Sequence, residues 1–298
     1  MNSYKTENGK IRNYTEELKI RTFDYSENFA QGKYNLIQSL KNLDIEAVVV
    51  KKFLSKNEIE TLLNKLNIEV EAIKPIYESI TFPFSFVSLN RENLNFKEEL
   101  KSYYQKSKIF RDSFPQIFGI DMEQKFTSLL SILNQNKSAK VLSTSDLGSY
   151  IPFTFRVILP EKNHINLHAD NLFPSLAPEF YALLNEVAEV KNQLSFFTVL
   201  QKPDIGGEVS VYNVAWDVAK EFNIEEQSII LENGIHLHAE KKDELFRQQF
   251  NLEEGDLILF AGGQLYHRIE EVYGSKMRIT LGGFIGYSKT NTEIYYWS

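Results

Sequence analysis

The chain has 298 residues and no cysteine. That absence excludes disulfides, thiolate metal sites, iron–sulfur clusters and cysteine nucleophiles together, and it fits a reducing cytoplasm, the expected location. A long apolar run is also missing. No stretch approaches the roughly 18 residues that would span a bilayer, so no membrane partner is expected. The opening residues, Met1-Asn2-Ser3-Tyr4-Lys5, are polar, and no signal peptide is expected from them. Nor is there an excess of positive charge. Lys and Arg number 33 against 40 Asp and Glu, a formal net charge of -7, and basic residues cluster no further than pairs such as Lys51-Lys52 and Lys241-Lys242. Nucleic acid, held mainly through its phosphates, is not an expected partner. What remains is an ordinary globular composition. It has 43% hydrophobic and 13% aromatic residues, enough for a sizeable core in one large domain or a main domain with a helical addition.

The texture changes along the chain. Residues 1 to about 30 are polar and of mixed charge, an arm or an added strand. The following hundred residues read mainly as helices. Ser55-Lys56-Asn57-Glu58 is a capping box, followed at helical spacing by Ile59, Leu62, Leu63 and Leu66. A second helix is predicted over 121–135, with Phe126, Leu129, Leu130 and Leu133 on one stripe. From about residue 148 short strands and glycine turns take over, with strands predicted at 151–159, 165–169, 194–201, 207–213, 256–260, 266–272 and 277–285. One helix, 178–190, interrupts them. The polar stretch 222–254 reads as an insertion between barrel strands. The expected fold is mainly β with flanking helices around a barrel or jelly roll: a mainly helical N-terminal region, 1–147, packed on a core of 148–298.

Only five histidines are available for chemistry. In His168-Ala169-Asp170 an imidazole and a carboxylate stand two residues apart, so on a strand both face one side. His267, just beyond the predicted buried strand 256–260, is the candidate third ligand. Two histidines and a carboxylate on one face of an ion form the triad suited to Fe(II), with open positions opposite. In Met277-Arg278-Ile279-Thr280-Leu281, period-two alternation puts Arg278 and Thr280 on one face. If that face is the barrel interior, the buried guanidinium requires an anion, and its shape suits a carboxylate. The alternative is an outward arginine on an edge strand. His236-Leu237-His238 repeats the metal-pair spacing and is a rival site with Glu232 or Glu240, or simply part of a polar insertion. His164, Asn171 and Arg156 are candidate substrate-pocket residues. Gly206-Gly207 is read as a turn that binds nothing, and Trp216 and Trp297 either cap the pocket or pack.

Taken in order, His168-x-Asp170, the Gly206-Gly207-Glu208 strand, Gly255-Asp256-x-x-x-Phe260, His267 and Arg278 resemble the iron(II)/2-oxoglutarate-dependent dioxygenase superfamily, near its prolyl-hydroxylase-like branch, over about residues 150–287. The resemblance implies a double-stranded β-helix with His168, Asp170 and His267 as iron ligands. It also implies Arg278, with Thr280, as the 2-oxoglutarate anchor, and Fe(2+), 2-oxoglutarate and O2 as the reacting company. Asn192-Gln193-Leu194-Ser195-Phe196-Phe197 adds a narrower similarity to stand-alone enzymes that hydroxylate or halogenate free amino acids. Halogenases of that kind replace the carboxylate ligand by a small residue, whereas this chain keeps Asp170. The expected activity is therefore hydroxylation of an unactivated C–H bond in a small amino acid or derivative. Alternatives are a peptidyl or carrier-bound residue as substrate, a cupin-like metalloprotein that does not use 2-oxoglutarate, and a non-catalytic jelly-roll binding protein. A nucleic-acid demethylase is disfavoured by the acidic balance. The helical N-terminal part could support a homodimer.

Overall fold

The computed structural model describes residues 3–6, 9–25, 35–70, 79–83, 96–135, 137–144, 148–161, 163–223, 226–231, 234, 236–238 and 247–298. Two facing, mainly antiparallel sheets form the jelly roll. The major sheet runs Ile20–Asp24, Ala47–Lys51, Leu257–Phe260, Leu194–Gln201, Arg278–Tyr287. Its last strand then forks: residues 278–282 pair with Thr154–Ile158, and 284–287 pair with Ile294–Trp297. The minor sheet runs Asn163–His168, Leu265–Tyr273, Val209–Ala215, Arg247–Phe250.

The predicted strands appear close to their expected bounds, because each alternates between two covered faces. Strand 194–201 shows the division. Ser195 and Phe197 line the interior. Phe196 stacks on Phe126, ring centroids 4.2 Å apart, where helix Met122–Leu133 packs on the outside. That helix buries Phe126, Leu129, Leu130 and Leu133, the predicted stripe, and begins at Asp121, whose side chain accepts from the Gln124 amide. The capping box is formed as expected. Glu58 accepts from the Ser55 amide at 2.7 Å, and the Glu58 amide donates to Ser55 Oγ at 3.3 Å, opening helix Lys56–Val70. The inserted helix is Pro178–Val187.

The N-terminal part is less exclusively helical than its sequence suggests. Strand 20–24 runs parallel to 47–51, and both extend the major sheet beyond 257–260. The added-strand reading of the first residues is the one the structure shows. Helix Phe96–Phe118 is the long element the sequence reading did not place.

The stretch 222–254 is only partly an insertion. Strands Ala219–Asn223, Ser228–Leu231 and His236–His238 form a separate small sheet, but Arg247–Phe250 pairs with 209–212 and so completes the minor sheet. The small sheet covers that sheet's outer face, where Ile229, Leu231 and Leu237 cluster with Leu167, Ala169, Tyr212 and Tyr266. Burying each such aliphatic side chain contributes roughly 1.5–3 kcal/mol. Among the described residues no helix is long and apolar enough to cross a membrane.

Candidate iron and 2-oxoglutarate centre

The backbone brings His168 and His267 together as direct cross-strand partners in strands 163–168 and 265–273. A register shift between Ile165 and His168 adjusts the strand end. Asp170 is not on the strand itself, as i, i+2 spacing suggested. Strand pairing stops at His168, Ala169 stays extended, and Asp170 opens a single 3-10 turn, its amide donating to Gly262 O at 2.9 Å. The outcome for the side chains is the same. Asp170 Oδ1 lies 3.6 Å from Nε2 of His168 and 3.6 Å from Nε2 of His267. Among the described residues these three form the one group whose ligand atoms converge, all within 4.8 Å of each other.

Each donor is held by a partner behind it. His168 Nδ1–H donates to Asn166 O at 2.7 Å and His267 Nδ1–H to Leu265 O at 3.0 Å, so both Nε2 lone pairs face the common point. Ser195 Oγ donates to Asp170 Oδ2, which leaves Oδ1 for the metal side. A Cβ on Gly262 would lie 2.1 Å from Ser195 Oγ and 2.5 Å from Asp170 Oδ2, so glycine is what admits this pair. Burial, with His267 and Arg156 close by, holds the His168 imidazolium well below the usual histidine range, so the ring is the neutral ligand form. Burial pushes the Asp170 carboxyl up, against the lowering effects of His267, Ser195 and Arg156. Two ring nitrogens and one carboxylate oxygen, converging in a buried pocket, fit a divalent iron ion. The sequence pattern gives no role to Gly262, and Ser195 enters it only as one residue of the Asn192–Phe197 similarity. Their role depends on contacts between segments far apart in the chain.

The triad lines a cavity of about 90 Å³ between the two sheets. Arg278 and Thr280, each 4% exposed, face the same cavity. The inward alternative for strand 278–287 is therefore the one adopted, with Ile279 and Leu281 buried beneath the outer shell. Arg278 Nε donates to Gly207 O at 2.7 Å, Nη1 lies 3.4 Å from Thr280 Oγ1, and the guanidinium sits 5.0 Å from the Phe197 ring centroid. The Gly206-Gly207 turn does more than reverse the chain, since its carbonyl fixes the arginine. Both residues have left-handed φ, +78° and +72°, and a Cβ on Gly206 would lie 1.9 Å from Glu271 O. Burial, then Arg156, push the Arg278 guanidinium down to about 9, against the raising effect of Glu208.

Arg156 also lines this cavity, directly across from Thr280. Asn171 and His164 do not. Asn171 exchanges bonds with Asn192, 2.9 Å each way, beside a separate cavity that Trp216 also lines. His164 Nε2 is 2.7 Å from Asn166 Oδ1. Trp297 is fully buried and packs. His236 and His238 lie side by side on the small sheet, ring centroids 4.3 Å apart and tilted by 39°, and no third ligand joins them among the described residues. Glu232 and Glu240, considered with them, lie outside those residues. A cavity of about 1390 Å³ along helices 96–118 and 122–133 is lined by none of these groups.

Residues 22–298 match the family model described as carrier-protein-independent halogenase WelO5. Among solved structures the chain is similar to an N-substituted L-amino acid dioxygenase from Burkholderia ambifaria AMMD, at 15% identity. The likeness covers 87% of this chain and 89% of that one with a TM-score of 0.56. The same enzyme in complex with alpha-KG gives 15% identity, 87% and 90% coverage and a TM-score of 0.53. At this identity the likeness shows the shared fold. No curated protein matches the chain. A family match across nearly the whole chain, on a jelly roll whose interior gathers two histidines, a carboxylate and a buried arginine, places this chain in the WelO5 family of iron(II)/2-oxoglutarate-dependent oxygenases, enzymes that use Fe(II), 2-oxoglutarate and O2.

Proposed function

We propose that the chain hydroxylates an unactivated C–H bond of a small amino acid or amino-acid derivative. In this reading His168, Asp170 and His267 hold the iron, and Arg278, with Thr280, holds the far carboxylate of 2-oxoglutarate. When bound, iron and keto acid supply the oxidising chemistry: 2-oxoglutarate and dioxygen become succinate and carbon dioxide, and one oxygen atom enters the substrate C–H bond. The chain's own residues orient and enclose. The two backbone carbonyls keep both imidazoles in the metal-facing tautomer, Ser195 fixes the carboxylate, and Phe197 and Phe260 wall the cavity against water.

The observation that carries hydroxylation is Asp170. It is buried, 2% exposed, and aimed by Ser195 at the point both histidines face. An iron ion held there would have three protein donors, His168, Asp170 and His267, and would supply the remaining contacts to keto acid and dioxygen. A halide would have to displace one of them. The family name gives halogenation its standing as the second reading, and its carrier-independence supports a free small molecule over a carrier-bound residue. The residues proposed for chemistry all lie in 148–298, the core expected from sequence.

The test is succinate formation by iron-reconstituted protein across a panel of amino acids and N-substituted derivatives, with chloride present and product masses recorded. Gain of an oxygen atom, independent of chloride, supports the reading. A chlorinated product with Asp170 intact overturns it in favour of halogenation. Metal binding with no succinate from any substrate, and no uncoupled turnover, points to a jelly roll that does not use 2-oxoglutarate.

A further inference from the structure

The cavity holds one more cation than the proposed function uses. Arg156 sits on strand 154–158, and the antiparallel register places it opposite Thr280. One step along the wall in one direction is Arg278, opposite Ile158. One step in the other is Gly282, opposite Thr154, and beyond it Phe284 pairs with Ser195, which holds Asp170. Arg156 therefore stands between the far-carboxylate anchor and the triad, on the same inward face as both. Cross-strand neighbours such as Arg156 and Thr280 have Cβ atoms only about 5 Å apart.

Among the described residues Arg156 has no hydrogen-bonded or ion-paired partner, and Asp170 is the single acidic side chain lining the cavity. Asp170 is already bound to Ser195 and directed at the histidines. Ser298, on the same wall, shares its hydroxyl with Thr154 and accepts from Tyr103 at its carbonyl. An arginine in a cavity without a counter-charge is costly unless an anion arrives with the ligand. In the proposed function the metal would take one end of 2-oxoglutarate and Arg278 the other. We infer that Arg156 is a second carboxylate-binding residue, and that the carboxylate it takes is the substrate's own, so the enzyme selects substrates with a free carboxylate over their amides. Burial depresses the Arg156 guanidinium, and Asp170 opposes the shift. The inference rests on the oxygenase reading above and deepens it by naming the group that marks the substrate.

The experiment is calorimetric titration of anaerobic, iron(II)-loaded protein. 2-Oxoglutarate is titrated first, then a panel of L-amino acids and N-substituted L-amino acids, each against its primary amide. Wild type, Arg156→Gln, Arg156→Lys and Arg278→Ala are compared. Wild type should prefer carboxylate to amide by about tenfold or more, the size of a charge-assisted hydrogen bond. Arg156→Gln should lose that preference while binding 2-oxoglutarate within about threefold of wild type, a result that also shows the variant is folded. Arg156→Lys keeps the cation without the planar fork and should retain part of the preference; it carries the comparison if the glutamine variant does not fold. Weakened 2-oxoglutarate binding in Arg156→Gln, with discrimination among substrates unchanged, would assign Arg156 to the keto acid and overturn the inference. So would an unchanged preference, or the failure of every carboxylate in the panel to bind while 2-oxoglutarate does. Undiminished binding by Arg278→Ala would move the anchor off Arg278 and overturn the inference as well, whereas failure of wild type to bind 2-oxoglutarate would instead sink the underlying oxygenase reading.

Discussion

Two segments of this chain carry the same spacing of metal-ligand side chains and end in opposite places. In His168-Ala169-Asp170 the middle residue is fully buried on the outer face of the minor sheet, and the flanking side chains turn inward to the cavity. In His236-Leu237-His238 the middle residue is again the anchor, 2% exposed, but the inner side of that small sheet is the packed one, so His236 is exposed and His238 half-exposed. Period-two alternation is identical in both. The difference is that the first strand has covered faces on both sides and a cross-strand partner, His267, supplying the third donor, whereas the second has one covered face. Spacing nominates a ligand pair, and the layer on the other side of the sheet decides whether it becomes a site.

The strongest way to break this contrast is His267→Ala. It should lower 2-oxoglutarate turnover by about a thousandfold or more, since metal chemistry supplies several kcal/mol of the barrier reduction, and iron retained after dialysis should fall with it. Iron content and turnover near wild type would show that the ion sits elsewhere, with the neighbouring His236 and His238 the next place to look. Arg278→Ala comes next. Removing a buried cation from its carboxylate typically costs 2–5 kcal/mol, so the 2-oxoglutarate Kd should rise about a hundredfold while iron content holds; a simultaneous loss of iron would mean the arginine supports the fold rather than the ligand. Ser195→Ala sharpens the role of the support behind the triad. Iron affinity should drop by roughly 10–100-fold, as for other partners that orient a ligand, and an unchanged affinity would leave Gly262 and the backbone as sufficient. The smallest effect is expected for His236→Ala combined with His238→Ala, with turnover within about twofold of wild type because exposed side chains away from a site rarely shift function or stability by much.

The structure also separates what was legible from what was not. The strands at 194–201 and 277–285 and the helix over 121–135 could be read because each buries a fixed periodicity, and the register that follows puts Arg278 and Thr280 inside. Asp170 was found for a partly mistaken reason. It shares His168's direction through an extended Ala169 and a tight turn rather than through continued strand pairing. Helix 96–118 escaped notice because its charged and apolar residues are mixed along a long amphipathic face. The segment 247–250 was hidden because an edge strand of the minor sheet can be polar on its open side and still pair.

The sequence by itself determined the donor types, their order along the chain, and the two alternating strands that could bring them to one face, since these follow from local periodicity and side-chain chemistry. Tertiary structure alone decided which of two equivalent His-containing pairs faces a cavity. It also decided that a serine some 25 residues from Asp170 holds that carboxylate, that the Gly207 carbonyl fixes Arg278, and that Arg156 lies between arginine anchor and triad. Each of those relations is a contact across strands distant in sequence, set by how two sheets twist and close on one another, and no local pattern encodes it.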